Sequence, residues 1–131
     1  MIENKILVVD DQDFQREWMQ KILSKLGYDV TVVDSAEAAL SILQKESFPL
    51  IISDLILLDM DGVEFCREIR ASNSQVYVIA VTGFGALYDL EKLKLEGFNN
   101  CLGKPIRVDV IKQAIQEGFE AIKRQVEAPG E

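Results

Sequence analysis

Three acids, a threonine and a lysine stand out in this chain by where they fall. Asp10 and Asp11, within Asp10-Asp11-Gln12-Asp13, directly follow the apolar run Ile6 to Val9, and Asp54 follows another run from Leu50 to Ser53. Thr82-Gly83 closes the run Val76 to Val81, and Lys104 stands just past the short run Asn100 to Leu102, immediately ahead of Pro105. If these runs lie side by side as strands, the acids converge. Like charges in a small cleft raise one another's pKa and oppose folding unless a cation sits between them. Hard carboxylate oxygens suit a hard divalent ion, Mg2+ above others. Acids, hydroxyl and ammonium together are the parts of a phosphoryl-transfer site. A carboxylate attacks phosphorus, a metal neutralises the equatorial oxygens, and hydroxyl and ammonium hold the others. The product would be an acyl phosphate on the protein itself.

Such a site needs strands that end together, and the rest of the sequence supplies them. A fifth apolar run, Val30 to Val33, completes a set of nearly continuous short runs, the pattern of a parallel sheet covered on both faces. Longer stretches of helical period separate them. Phe14, Trp18, Ile22 and Leu26 make a stripe that Gly27 ends. Ser35 stands as an N-cap ahead of Ala36, Ala39, Leu40 and Leu43. Val63, Cys66 and Ile69 mark a third helix, and Leu87, Leu90 and Leu93 a fourth that stops at Gly97. Pro105 is placed in the first turn of a fifth, with Val108, Ile111, Ile115, Phe119 and Ile122 along it to Arg124. The alternation predicts a doubly wound α/β fold with five helices and a five-stranded parallel sheet of order 2-1-3-4-5. Ligands in such sheets bind beyond the carboxyl ends of the strands, beside the switch point between the first and third strands.

The 131 residues suffice for one domain, and 48% hydrophobic with 27% charged residues is an ordinary globular composition. A net charge of −8 argues against nucleic acid as a partner. Apolar runs fall far short of the roughly 18–20 residues of a membrane span. The acid-bearing start Met1-Ile2-Glu3-Asn4-Lys5 is unlike a signal peptide, so a cytoplasmic location is the expectation. With no histidine, a Ser-His-Asp triad and a Cys-His pair are excluded, and Cys66 and Cys101 read as buried reduced thiols. No glycine-rich phosphate loop follows the first strand, which disfavours a nucleotide-binding or flavodoxin-type enzyme.

The set Val8-Val9-Asp10-Asp11, Ser53-Asp54-Leu55 with Met60-Asp61-Gly62, Val81-Thr82-Gly83, and Gly97 with Leu102-Gly103-Lys104-Pro105 resembles the receiver domain of two-component response regulators. The likeness runs from about Asn4 to Lys123. It implies a flavodoxin-like, CheY-like receiver domain over 1–124, with 125–131 a tail or a cut linker. By that resemblance Asp54 is the phosphoacceptor. Mg2+ is bound directly by Asp11 and Asp54, by the backbone carbonyl of Ile56, and through water by Asp10. Thr82 bonds a phosphoryl oxygen on activation, Gly83 offers an amide beside it, and Lys104 pairs with the phosphoryl group or, before it arrives, with Asp54. The implied partners are a sensor histidine kinase or histidine phosphotransfer protein upstream and a protein target or effector domain downstream, with no membrane and a monomer or weak dimer. Such a protein modifies itself and turns over no separate substrate, so it is not an enzyme in the ordinary sense. Its output would run through the face of the fourth helix, fifth strand and fifth helix.

Departures from the family pattern sharpen these expectations. Leu58 replaces a usual proline after the acceptor. Cys101 replaces a usual aromatic residue, which shifts the expected readout to Phe84 or shrinks it. It also keeps open a pseudo-receiver that signals without phosphorylation. Ile56 and Phe84, at positions that tune loss of the phosphoryl group, are bulky and apolar and predict a long-lived phosphorylated form. Asp13 reads as a cap for the first helix, and Asp59 and Asp61 as loop and helix-start residues. Phe14, Trp18 and Phe65 read as core or helix packing. Leu87, Tyr88, Leu90 and Leu95 spread over more than one stripe and hint at an exposed apolar patch.

Overall fold

The computed structural model describes residues 3–73, 75–83 and 89–127. Runs rich in valine, isoleucine and leucine form strands there because helices cover both of their faces. In chain order the elements are β1 (Lys5–Val9), α1 (Asp13–Lys25), β2 (Asp29–Val33), α2 (Ala36–Leu43), β3 (Leu50–Asp54), α3 (Gly62–Ser72), β4 (Tyr77–Thr82), α4 (Leu90–Leu95), β5 (Asn100–Gly103) and α5 (Val108–Glu127). Each pairing between these strands is parallel and the sheet order is β2-β1-β3-β4-β5, as the sequence predicts.

Successive strand residues point to opposite faces and so divide the core in two. Leu7, Val9, Ile51, Val78 and Ala80 pack with Ala36 and Ala39 of α2, Phe65, Cys66 and Ile69 of α3 and Leu93 of α4. Ile6, Val8, Leu50, Ile52, Ile79 and Val81 pack with Met19 and Leu23 of α1 and Ile111, Ala114 and Ile115 of α5. Each such large side chain contributes about 1.5–3 kcal/mol of burial before entropy is counted. On the second face Tyr28, just after α1, also stacks on Phe119 of α5, with ring centroids 5.4 Å apart. Gly27 and Gly97 end α1 and α4 with φ of +97° and +113°, left-handed conformations that glycine adopts without strain. The Ser35 hydroxyl caps α2, accepting from the Ala38 amide at 3.1 Å.

Five expectations are corrected. Phe14 is 67% exposed, and the buried stripe of α1 is Met19 and Leu23, flanked by half-buried Trp18, Ile22 and Leu26. A strict four-residue spacing drifts around a helix of 3.6 residues per turn, by about 120° over three steps, so its first member leaves the core face. Asp13 is not a cap: Gln12 holds the N-cap position, and Asp13 instead forms an ion pair with Arg16 in the first turn. Pro105, after a cis Lys104–Pro105 bond, precedes α5 rather than lying in its first turn. Cys66 is buried as expected, but Cys101 is only half-buried. The α5 helix continues past Arg124 to Glu127. Phe84, Leu87 and Tyr88 lie outside the described residues. Among the described residues, no helix is long and apolar enough to cross a membrane.

Candidate functional site at the carboxyl end of the sheet

Register brings the chemistry-bearing residues together. Val9 stands opposite Ser53, Asp54 opposite Val81, and Thr82 opposite Gly103, so Asp10, Asp54, Thr82 and Lys104 end or follow four neighbouring strands. Ladder hydrogen bonds fix the backbone there. Asp10 N–H donates to the Val33 carbonyl at 3.1 Å, Leu55 N–H to Val81 at 2.9 Å, and Lys104 N–H to Thr82 at 2.8 Å.

Lys104 starts two strands away from Asp54, a separation of about 9–10 Å across the sheet. Its flexible four-carbon stem covers that gap, which a shorter cation does not. The ammonium donates to Asp54 Oδ2 at 2.8 Å, lies 3.2 Å from Asp10 Oδ2, and reaches Gln12 Oε1 at 3.4 Å. The other oxygens of the two acids are held by backbone amides: Ile56 N–H donates to Asp54 Oδ1 at 3.1 Å, and Gln12 N–H to Asp10 Oδ1 at 2.9 Å. Asp11 joins them from the half-buried start of the next loop. Carboxylate oxygens of Asp10, Asp11 and Asp54 lie within 4.8 Å of one another.

Three carboxylates thus meet one ammonium. Burial raises the Asp10 carboxyl above its ordinary range even though the Gln12 amide and Lys104 favour its charged form, and the Asp54 charge pushes it up further. Burial opposes the charge on Lys104 as well, but the hydrogen bond it donates to Asp54 and the two carboxylate charges outweigh it and hold its pKa above the ordinary lysine value. The donor set is all hard oxygen, rich in negative charge and assembled on rigid strand ends. It fits a hard divalent cation and does not suit a soft one.

Thr82 is buried, and its hydroxyl donates to the Gly83 carbonyl at 3.3 Å. Gly83 faces open space, with nothing within 4 Å of where a Cβ would stand. Ile56 is 68% exposed, so it flanks the acids from the solvent side. Cys101 packs beside the core on the α2–α4 face of the sheet, and burial raises its thiol pKa. Phe84 lies outside the described residues.

Sequence reading overlooked three residues that support the site. Gln12 reaches Lys104, Arg16 donates to the Asp10 carbonyl at 2.8 Å, and fully buried Ser53 donates to the Asp54 carbonyl at 3.0 Å. The only signal for them was proximity to the acids. Asp61 does cap α3, accepting from Val63 N–H at 2.7 Å, as expected of a helix-start residue.

Comparison with known proteins identifies the family. The sequence profile of the response regulator receiver domain matches residues 6–116. The sensor histidine kinase RcsC of Escherichia coli strain K12 is 31% identical over 119 residues, covering 91% of this chain but 12% of the kinase. This chain therefore spans about an eighth of the length of such relatives. Sporulation initiation phosphotransferase F of Bacillus subtilis strain 168 is 30% identical over 117 residues, covering 89% of this chain and 94% of that protein. The CheY-like receiver domain protein of Methanospirillum hungatei JF-1 superposes with a TM-score of 0.87 at 26% identity, over 95% of this chain and 99% of that one. Fold and sequence likeness coincide, and the chain belongs to the response regulator receiver domain family of two-component signalling systems.

Proposed function

We propose that this domain is a phosphoryl-accepting signalling switch with Asp54 as the acceptor. The observation that carries the reading is the Lys104 ammonium 2.8 Å from Asp54 and 3.2 Å from Asp10, with Asp11 in the same cluster. Asp54, Asp11, the Ile56 carbonyl and, through water, Asp10 would hold Mg2+, which when bound supplies neutralisation of the phosphoryl oxygens. An Asp54 carboxylate oxygen attacks phosphorus as the bond from phosphorus to the donor nitrogen breaks, and the electron pair stays on the leaving imidazole, which takes a proton from solvent. Lys104 then moves from the carboxylate to a phosphoryl oxygen. The Thr82 hydroxyl exchanges the Gly83 carbonyl for another, which couples the site to the loop after β4. Gly83 leaves space there for the transferred group.

The donor is a sensor histidine kinase or a histidine phosphotransfer protein. The output is a downstream protein target or effector domain meeting the α4, β5 and α5 face, where Leu90 and Leu95 are exposed. Bulky, exposed Ile56 hinders water at the aspartyl phosphate and lengthens its life. Residues 1–124 would constitute the switch, which modifies only itself, so we do not class it as an enzyme. Intact mass after incubation with acetyl phosphate tests this. A single phosphoryl adduct is expected that requires Mg2+ and is absent from Asp54→Ala. Mg2+ binding without an adduct from either acetyl phosphate or a beryllofluoride titration would instead leave a pseudo-receiver that signals by its fold alone.

A further inference from the structure

The loop from Leu55 to Asp61, between β3 and α3, carries both the amide that fixes Asp54 and the carbonyl placed above among the metal ligands. Its base is closed tightly. Gly62 N–H donates to the Leu55 carbonyl at 2.9 Å, Ile56 bridges to Asp61, and a Cβ at Gly62 would stand 2.6 Å from the Asp54 carbonyl oxygen. Its tip is different. Leu57 is buried, but Leu58 is 90% exposed, so the residue in the place of the usual proline anchors nothing with its side chain.

The next residue does. Asp59 reaches across to α2, where Oδ1 accepts from Ala36 N–H at 3.1 Å and Oδ2 from Glu37 N–H at 2.9 Å. Its carboxylate therefore satisfies two of the amides that the start of a helix leaves unpartnered, while Ser35 takes the Ala38 amide. These bonds, that to Glu37 first, hold the Asp59 carboxyl below the usual carboxylate range. They also join residues 22 and 23 positions apart in sequence. Ala36 is itself fully buried in the cluster that holds Leu55 and Leu57, so the helix start is a fixed post. By sequence alone Asp59 is a loop residue.

From this geometry we propose that Asp59 is a positioning residue for the phosphoryl site: by clasping the N-terminus of α2 it pins the loop and so sets Ile56 relative to Asp54. The inference rests on the function proposed above. It separates the role of Asp59 from that of an ordinary cap, because the cap bond of Ser35 lies within its own helix.

The test compares wild type, Asp59→Ala, Asp59→Asn and Ser35→Ala as full chains, by amide hydrogen exchange and by Mg2+ titration followed at the Asp54 and Ile56 amides. In Asp59→Ala, exchange of the Ile56 to Asp61 amides should quicken about tenfold, the scale of losing one cap carboxylate. The Mg2+ concentration for half-saturation should rise several-fold, while the phosphorylation rate at saturating Mg2+ stays within about twofold, since the groups at phosphorus are untouched. Asp59→Asn, which keeps one carbonyl acceptor, should recover part of both effects and serves alone if the alanine variant does not fold. Ser35→Ala should leave the loop and its Mg2+ response unchanged. Equal loop exchange in Asp59→Ala and wild type, or equal loop effects of Ser35→Ala and Asp59→Ala, would overturn the inference. A wild type that takes up neither Mg2+ nor a phosphoryl group overturns the functional reading instead, and loop exchange still decides the clasp.

Discussion

Two half-buried cations serve opposite ends of the sheet in opposite ways. Arg70, in the last turn of α3, donates through Nε and Nη2 to the Gly97 carbonyl at 2.9 and 2.7 Å, through Nη2 to Asn99 Oδ1 at 2.8 Å, and through Nη1 to the Val76 carbonyl at 2.5 Å. Asn99 Oδ1 accepts in turn from Val78 N–H at 2.8 Å. Every one of these acceptors is neutral. Lys104 faces ionisable carboxylates that outnumber it. A planar guanidinium on fixed carbonyls makes a permanent joint between α3, β4 and the turn into β5. A mobile ammonium among excess acids makes a joint that a metal ion or phosphoryl group can displace. The difference shows how one domain combines a rigid frame with a reactive edge.

The contrast breaks most visibly at Arg70. Arg70→Ala should lower stability by about 2–4 kcal/mol, because the Val76 and Gly97 carbonyls lose the guanidinium and Asn99 Oδ1 keeps only the Val78 amide, and urea unfolding measures it. Phosphorylation of the folded fraction should be unaffected. Lys104→Ala should do the reverse: roughly a hundredfold slower phosphorylation, with tighter Mg2+ binding because the acids lose their internal counter-ion. Equal effects of the two substitutions on stability and on reaction rate would erase the distinction.

Asp10 gives a smaller and sharper test. Its carboxyl is raised in the folded state, so it favours folding below the ordinary carboxylate range near pH 4 and opposes it progressively as pH rises through its raised folded value. Asp10→Asn without divalent metal should therefore raise stability at pH 7 by about 1 kcal/mol, and the gain should vanish toward pH 4. Lys104 has the same sign at the other end of the scale. With its folded pKa raised, its contribution is whole below about pH 10.4 and fades only as pH climbs through the higher folded value. Unfolding midpoints across pH for wild type and Asp10→Asn check both.

Strands were legible because burial on both faces turns them into continuous apolar runs, and the site acids because they stand where those runs stop. Cap residues such as Ser35 and Asp61 were readable for a similar reason, since a cap acts within three residues of its position. Phe14 was misplaced because spacing by four approximates a helical period without equalling it. Gln12, Arg16 and Ser53 were missed because glutamine, arginine and serine near an acid occur everywhere on protein surfaces.

Residue pattern alone is enough for the alternation, the parallel sheet and its order, and the strand-end position of Asp10, Asp11, Asp54, Thr82 and Lys104. All of these follow from local pattern and from the few ways a chain can wind. It takes the folded chain to show that Lys104 spans two strands to meet Asp54, 50 residues away, and that Asp59 leaves its own loop to hold the start of α2. Contacts of that kind depend on how far a side chain reaches and where a loop passes, and no local period in the sequence encodes either.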